Sequence, residues 1–99
     1  MNDLRTLAKG RECQIRLPGI CNGDRATTVL AHIRINAGIG RKPHDLIGSW
    51  ACSACHDVVD GRRQTMFGRD ELRLSHLEGM ARTIDVLAQE GLIVKTGGR

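Results

Sequence analysis

Apolar residues recur at helical spacing in one long segment of the second half of the chain. The segment starts at Gly68 or Asp70 and stops before Gly91, and a glycine commonly follows the end of a helix. Its apolar positions are Leu72, Leu77, Met80, Ala81, Ile84, Leu87 and Ala88. Steps of three and four residues predict one apolar stripe on a long helix. Gly79 within it costs about 1 kcal/mol relative to alanine unless another element packs close.

The first half of the chain alternates short apolar runs with turn-rich segments. Residues 26–35 are rich in β-branched side chains and predict a strand, and residues 46–51 predict a shorter strand that pairs with it. Residues 3–9 predict one or two helical turns capped by Asp3. A second short helix is predicted from residue 55 to about residue 59. Strands and helices in this order predict an α+β fold.

Length and composition limit what this fold can bury. The chain has 99 residues, 12 glycines and only two aromatic residues, Trp50 and Phe67. Residues 1–99 therefore form a single domain with a thin core, in which a metal would add needed stability. We expect residues 92–94 to form a short strand or to dock on the core. The tail, residues 95–99, is expected to be flexible.

Four cysteines form two pairs. Cys13 and Cys21 have seven residues between them, and Cys52 and Cys55 have two. Four thiolates can complete a tetrahedral zinc site, with each sulfur about 2.3 Å from the ion. In a small domain the free energy of binding at such a site is also free energy of folding. The spacing therefore predicts one structural Zn²⁺.

Three alternatives to zinc binding exist for these cysteines. The chain starts without an apolar segment of signal-peptide length and has no membrane-spanning run, so we expect a cytoplasmic protein with reduced thiols rather than two disulfides. A thioredoxin-like motif would need a surrounding βαβ pattern, which is missing. Cys52-Ser-Ala-Cys-His56 also matches the c-type haem attachment pattern, but haem is attached outside the cytoplasm, and Cys13 and Cys21 would have no role.

Histidines supply the candidate chemistry. His32 lies in the middle of the first predicted strand, where it is either a half-buried core residue or a general base for a water that attacks phosphate. His56 and Asp60 are four residues apart, so they share one helix face and could hold a divalent cation or form a simple surface pair. His76 is expected to be structural, and His44 receives no role.

The charge of the chain favours an anionic partner. The formal net charge is +4, and the pI is about 9.2. Most basic residues are arginines, which bind phosphate oxygens in a bidentate manner, although many will simply be solvated. We expect Arg34, Arg41 and Lys42 to contact nucleic acid.

The combination of a strand histidine, a Cys-x2-Cys-His run and a helix resembles the HNH nucleases, a branch of the ββα-metal superfamily. The resemblance implies a hairpin and a helix around one catalytic cation, with structural zinc held by two cysteine pairs. It implies that His32 is the general base and that His56 binds catalytic Mg²⁺ or Mn²⁺. Asp60 is the candidate for the metal ligand that Ala31 cannot supply. The fold implied is a small zinc-stapled HNH-like ββα-metal domain with an additional long C-terminal helix.

A closer resemblance, to the YbcO-like family of lambdoid prophage nucleases, covers nearly the whole chain. The matching runs are Gly10-Arg11-Glu12-Cys13-Gln14, Pro18-Gly19-Ile20-Cys21-Asn22-Gly23, Val29-Leu30-Ala31-His32-Ile33-Arg34, Ala51-Cys52-Ser53-Ala54-Cys55-His56-Asp57 and Leu77-Glu78-Gly79-Met80-Ala81-Arg82-Thr83. This resemblance implies a DNA endonuclease of phage origin that acts in recombination or DNA processing, in which a recombination protein could be a partner.

Two positions depart from the HNH pattern. Ala31 stands where HNH enzymes usually have a metal-binding Asp or His, and residues 47–49 lack the middle Asn. Asp45 is the nearest candidate for the middle role. These departures motivate a rival hypothesis, in which the protein is a catalytically inactive zinc module that binds DNA or a protein partner.

Overall fold

The computed structural model describes residues 3–35 and 43–94. Along the chain the elements are α1 (Leu4–Leu7), a 3-10 turn (Arg25–Thr27), β1 (Val29–His32), β2 (Gly48–Ala51), α2 (Ser53–Val59) and α3 (Arg69–Gln89). The small α+β fold with a long C-terminal helix is confirmed. The predicted flexible tail, residues 95–99, lies outside the described residues.

The two strands pair as an antiparallel hairpin. The register runs from Val29 opposite Ala51 to His32 opposite Gly48. A β-carbon on Gly48 would lie 2.7 Å from the carbonyl oxygen of Ala31, so the close approach of the strands requires glycine here.

The first strand is shorter than predicted. Asp24 accepts a hydrogen bond from the backbone N–H of Ala26 at 3.0 Å and caps the 3-10 turn that precedes β1. The prediction of a strand over 26–35 was therefore wrong at its start, because a local side-chain cap competes with the β preference of Thr27 and Thr28.

Helix ends follow the local signals in the sequence. Asp3 accepts from the backbone N–H of Arg5 at 2.9 Å, which confirms the predicted cap of α1. At the start of α3 the side chain of Glu71 accepts from the N–H of Gly68 at 2.8 Å. Beyond its end Gly91 has a φ of 72°, the left-handed conformation that glycine adopts readily. Leu92 and Ile93 then dock on the core. This was one of the two alternatives predicted for residues 92–94, the other being a short strand.

The buried face of the long helix matches the predicted apolar stripe only in part. Its buried residues are His76, Gly79, Thr83 and Leu87. Leu77 is 39% exposed, and Ala81 and Ala88 are exposed. Leu87 belongs to both the predicted and the observed face, and Leu72, Met80 and Ile84 are half-buried. The prediction was wrong at Leu77, Ala81 and Ala88, because polar contacts and one close approach set the rotation of α3. Thr83 accepts from the N–H of Trp50 at 3.0 Å.

Gly79 is the point of closest approach on α3. A β-carbon there would lie 3.0 Å from Cγ1 of Ile15 and 3.2 Å from the carbonyl oxygen of Gln14. The side chain of Arg82 donates two hydrogen bonds to the same carbonyl, at 2.9 and 2.6 Å. A glycine within this helix was expected to be costly unless another element packs close. The segment that follows Cys13 is that element.

The buried side chains form two clusters on either side of the hairpin. One contains the cysteines with Ile15, Leu17 and Val58. The other is built on Trp50 with Ala8 and Leu87. None of the helices in the described ranges combines the length and apolarity needed to cross a membrane.

Candidate metal centre and active site

The four cysteines converge from two parts of the chain. Cys13 and Cys21 lie in the turn-rich segment before β1, while Cys52 caps α2 and Cys55 lies in its first turn. The four Sγ atoms all lie within 4.8 Å of one another. The Sγ atoms of Cys21 and Cys52 are 3.8 Å apart. Tetrahedral coordination with bonds of about 2.3 Å separates sulfurs by about 3.8 Å.

All four thiols are free rather than joined in disulfides. The cluster therefore could hold a metal ion, as the two-pair spacing predicted. Backbone amides also point at the sulfurs: the N–H of Arg16 donates to Cys13 at 3.5 Å, and that of Cys55 donates to Cys52 at 3.4 Å. Such donors stabilise thiolate charge.

The electrostatics of the cluster favour at least one thiolate even before a cation binds. The thiol of Cys55 donates to the sulfur of Cys13, which lowers the pKa of Cys13 to about 4. The same hydrogen bond, together with burial, raises the pKa of Cys55. Burial also raises the pKa of Cys21. Because the ligands are thiolates, a bound metal ion would displace the remaining protons.

His32, the last residue of β1, is paired with a carboxylate. Its Nε2 lies 2.8 Å from Oδ1 of Asp45, in the segment that leads into β2. This hydrogen bond lowers the pKa of Asp45, and Arg5, with its Nε 3.8 Å from the same oxygen, lowers it further. An ionised carboxylate only accepts hydrogen bonds, so Nε2 of His32 is the donor. The basic nitrogen of a neutral His32 is then Nδ1.

His56 and Asp60 lie on one face at the end of α2. Nε2 of His56 and Oδ2 of Asp60 are 3.4 Å apart, and their side chains are 24% and 23% exposed. Neighbouring ligands of an octahedral Mg²⁺ lie about 3 Å apart. The same oxygen of Asp60 is 3.2 Å from Nη2 of Arg62. The separation of the His56 and Asp60 atoms is slightly wider than the Mg²⁺ ligand spacing, and the guanidinium of Arg62 lies beside them.

The two histidines line a single cavity, the first cavity, of about 680 Å³. Its lining includes His32 with other residues of β1, and His56 with Asp60. The basic residues that line it are Arg5, Lys9, Arg34 and Arg62. Asp60 is the acidic residue among its lining groups, so the cavity is electropositive and open to anions.

The predicted nucleic-acid contacts are only partly described. Arg34 lines the first cavity, whereas Arg41 and Lys42 lie outside the described residues. Arg5 and Lys9 were not predicted from the sequence to contact nucleic acid. A signal existed, since they are four residues apart and so lie on one face of a short helical segment, but nothing in the sequence places that face beside His32.

The other two histidines lie elsewhere. His76 is buried, and its Nε2 donates to the carbonyl oxygen of Ala31 at 2.9 Å. Burial lowers the pKa of His76. It joins α3 to β1, which is the structural role predicted. His44 is exposed, and its Nδ1 accepts from the N–H of Leu46 at 3.1 Å.

Fold and site together define a small α+β protein with a four-cysteine cluster and a basic cavity that contains two histidines. The family model described as "Putative nuclease YbcO" matches residues 2–92 of the chain. The chain therefore belongs to the YbcO family.

Known proteins of this family are closely similar along almost their whole length. "Putative nuclease YbcO" of Escherichia coli (strain K12) is 53% identical over 95 residues, which cover 94% of this chain and 98% of that protein. "Putative nuclease ybcO" of Enterobacteria phage 82 gives the same values. The structure titled "Structure of a putative bacteriophage protein from Escherichia coli str. K-12 substr. MG1655" matches with a TM-score of 0.77 and 50% identity. That match covers 90% of this chain and 100% of the other.

Proposed function

We propose that this protein is a metal-dependent DNA endonuclease of the HNH type, of phage or prophage origin. The observation that carries the proposal is the first cavity, in which His32, His56 and Asp60 share one electropositive space. The names of the relatives, which describe nucleases, support the same chemistry.

His32 would be the general base. Its bond to Asp45 keeps the proton on Nε2, so Nδ1 is available to take a proton from a water molecule that attacks phosphorus. Asp45 acts through His32 as a positioning residue. Asp45 would fill the middle role of the HNH pattern, for which it is the nearest candidate in the sequence.

His56 and Asp60 would hold Mg²⁺ or Mn²⁺. The cation, when bound, stabilises negative charge that develops on the phosphate oxygens and the leaving group. Two protein ligands suit Mg²⁺, which keeps several waters in its coordination shell. Arg62 beside Asp60 would donate to the same phosphate.

Arg34, Arg5 and Lys9, together with Arg41 and Lys42 outside the described residues, would bind flanking phosphates. Such contacts fix the position of the strand but carry little sequence information. The four cysteines would hold Zn²⁺ as a structural ion, because a closed set of four thiolates leaves no position for substrate.

The test is a plasmid-nicking assay on the zinc-containing protein with added Mg²⁺ or Mn²⁺. We expect supercoiled DNA to be nicked by the wild type and His32→Ala to lower the rate by a factor of about 10² to 10⁴. His44→Ala is the matched control, since His44 is exposed and does not line the first cavity. Equal rates for the two variants would contradict the assignment of His32.

The rival function is a catalytically inactive module that binds DNA or a protein partner. Two observations favour it: Ala31 is buried in the core at 1% exposure, and the cysteines are the one group of three or more potential metal ligands found within residues 3–35 and 43–94. DNA binding without nicking under any divalent cation would support this rival. The assay is repeated with a phage recombination protein, since a partner could be required for cleavage.

A further inference from the structure

A second cavity, of about 580 Å³, shares part of its lining with the first cavity. It is formed by the end of α2, residues 58–61, and the first two turns of α3. His32, Arg34 and Asp60 line both cavities. The candidate catalytic side chains therefore stand where the two spaces meet, rather than at the end of a closed pocket.

The second cavity is also electropositive. Arg34, Arg69 and Arg73 line it, against one acidic residue, Asp60. Within the described ranges Arg34 and Arg69 form no ion pair, and the guanidinium of Arg73 makes one hydrogen bond, to the carbonyl oxygen of Arg34 at 3.3 Å. Free guanidinium groups around a cavity bind phosphate with paired N–H donors.

The placement of two of these arginines suits a polyanion. Arg69 and Arg73 are four residues apart on α3 and so lie on the same helix face. Both belong to the first turns of the helix, where the backbone dipole adds to the attraction of an anion. A small anion would need only one of the two cavities, whereas a polymer that carries a phosphate at every step can occupy both.

We propose that the second cavity binds the DNA backbone on the opposite side of the cleaved phosphate from the first cavity, with Arg69 and Arg73 as phosphate ligands. The inference rests on the proposed nuclease function. The strand would run past His32 with basic groups on both sides. Substrates would then need nucleotides on both sides of the cleaved bond, and cleavage at a strand end would be disfavoured.

Binding is tested apart from cleavage, with the zinc-containing protein, a fluorescent DNA duplex and no added divalent cation. We expect Arg69→Gln with Arg73→Gln to weaken binding about tenfold or more at low salt. The slope of log K against log salt should fall by about one for each arginine. Arg63→Gln is the matched control, because Arg63 is exposed and lines neither cavity.

Shortening the duplex from each end locates the effect. Trimming either end should weaken binding by the wild type, and in the double variant one of the two ends should no longer matter. Equal sensitivity of the double variant to both ends, or affinity and salt slope like those of Arg63→Gln, would overturn the inference. So would a wild type that binds no DNA.

Two further measurements keep the result interpretable. Arg73 supports the carbonyl of Arg34, so Arg69→Gln alone is measured in case the double variant is less stable. The nicking assay separates the two proposals. Binding that depends on Arg69 without any nicking would contradict the endonuclease function alone, whereas nicking and binding that ignore Arg69 and Arg73 would contradict only the second cavity.

Discussion

Cys55 and His56 are neighbours on α2, yet they face two different kinds of site. Cys55 is fully buried within the cysteine cluster, where its own backbone N–H donates to the sulfur of Cys52 and the other sulfurs lie close by. The side chain of His56 is 24% exposed and faces a cavity lined by basic groups. One helical turn thus supports a closed site and an open site.

Under the proposed function, the two sites would separate stability from chemistry. Four ligands would close the cysteine site. An ion held there would have no free coordination position and could only stabilise the fold. The open site, at His56 and Asp60 in the first cavity, would offer two ligand atoms and leave room for water and phosphate. Because α2 begins at the cluster, order at the cysteines fixes the direction of His56 and Asp60.

The largest effect is expected at the closed site. Binding of a structural zinc contributes on the order of 10 kcal/mol, which is comparable to the whole stability of a small domain. We therefore expect Cys52→Ser, or removal of the metal by a chelator, to unfold the protein, as measured by circular dichroism and metal content. Ser53→Ala, at the next position, should leave both unchanged. A folded, metal-free Cys52→Ser protein would show that metal binding at the cysteine cluster is not needed for folding.

At the open site the effect should fall on activity and not on folding. Asp45→Asn removes the carboxylate that orients His32, and we expect nicking to slow by about 10- to 100-fold with unchanged melting temperature. Asp57→Asn, which changes a half-exposed carboxylate near Arg62, is the control. Because the pKa of Asp45 is held low by His32 and Arg5, its support of His32 should persist above the ordinary aspartate pKa of about 3.9 and be lost only in stronger acid. Loss of structure in Asp45→Asn would contradict the division between the two sites.

A smaller effect is expected when Gly79, which packs against the segment after Cys13, is replaced by alanine. The sign of the change in the free energy of unfolding shows which of two effects dominates. Helix propensity alone predicts that Gly79→Ala stabilises α3 by about 1 kcal/mol. The approach of Ile15 and Gln14 predicts the opposite, because overpacking typically costs about 1–3 kcal/mol. We expect a net loss of up to about 2 kcal/mol in urea denaturation. Ala81→Gly, on the exposed face, should lose about 1 kcal/mol from propensity alone. A stabilised Gly79→Ala would show that the segment after Cys13 yields easily.

The smallest effect concerns His76, which lines the second cavity but is held by α3 and β1. Burial lowers its pKa in the folded protein, so the unfolded chain takes up the proton first as the pH falls. Stability should therefore decline as the pH drops below about 6.5, the ordinary histidine value, and continue to decline down to the folded pKa. His76→Gln should flatten that part of the urea-denaturation profile. An unchanged pH slope in His76→Gln would show that another group titrates there.

Much of the fold could be predicted from local signals. The cap at Asp3, the glycine after α3 and the second cysteine pair at the start of α2 all involve residues close together in the sequence, and the structure has each of them. The apolar stripe on α3 was only partly right, because the rotation of the helix depends on Thr83, His76 and Gly79, whose partners lie far away along the chain.

The candidate site divides in the same way. Residue types and spacing indicated four thiolates for one ion and singled out His32, His56 and Asp60. No spacing indicated that Arg5 of α1 and Lys9 just after it, or Arg69 and Arg73 of α3, would line cavities beside the same histidines.

The sequence by itself determined the helices, their caps and the set of chemically capable side chains, because these depend on each residue and its near neighbours. Only the tertiary structure decided that Asp45 meets His32, that the four sulfurs come within reach of one ion, and that two basic cavities meet at the histidines. Those arrangements depend on how segments distant in sequence pack together, and contacts of that kind leave no periodic trace in a single chain.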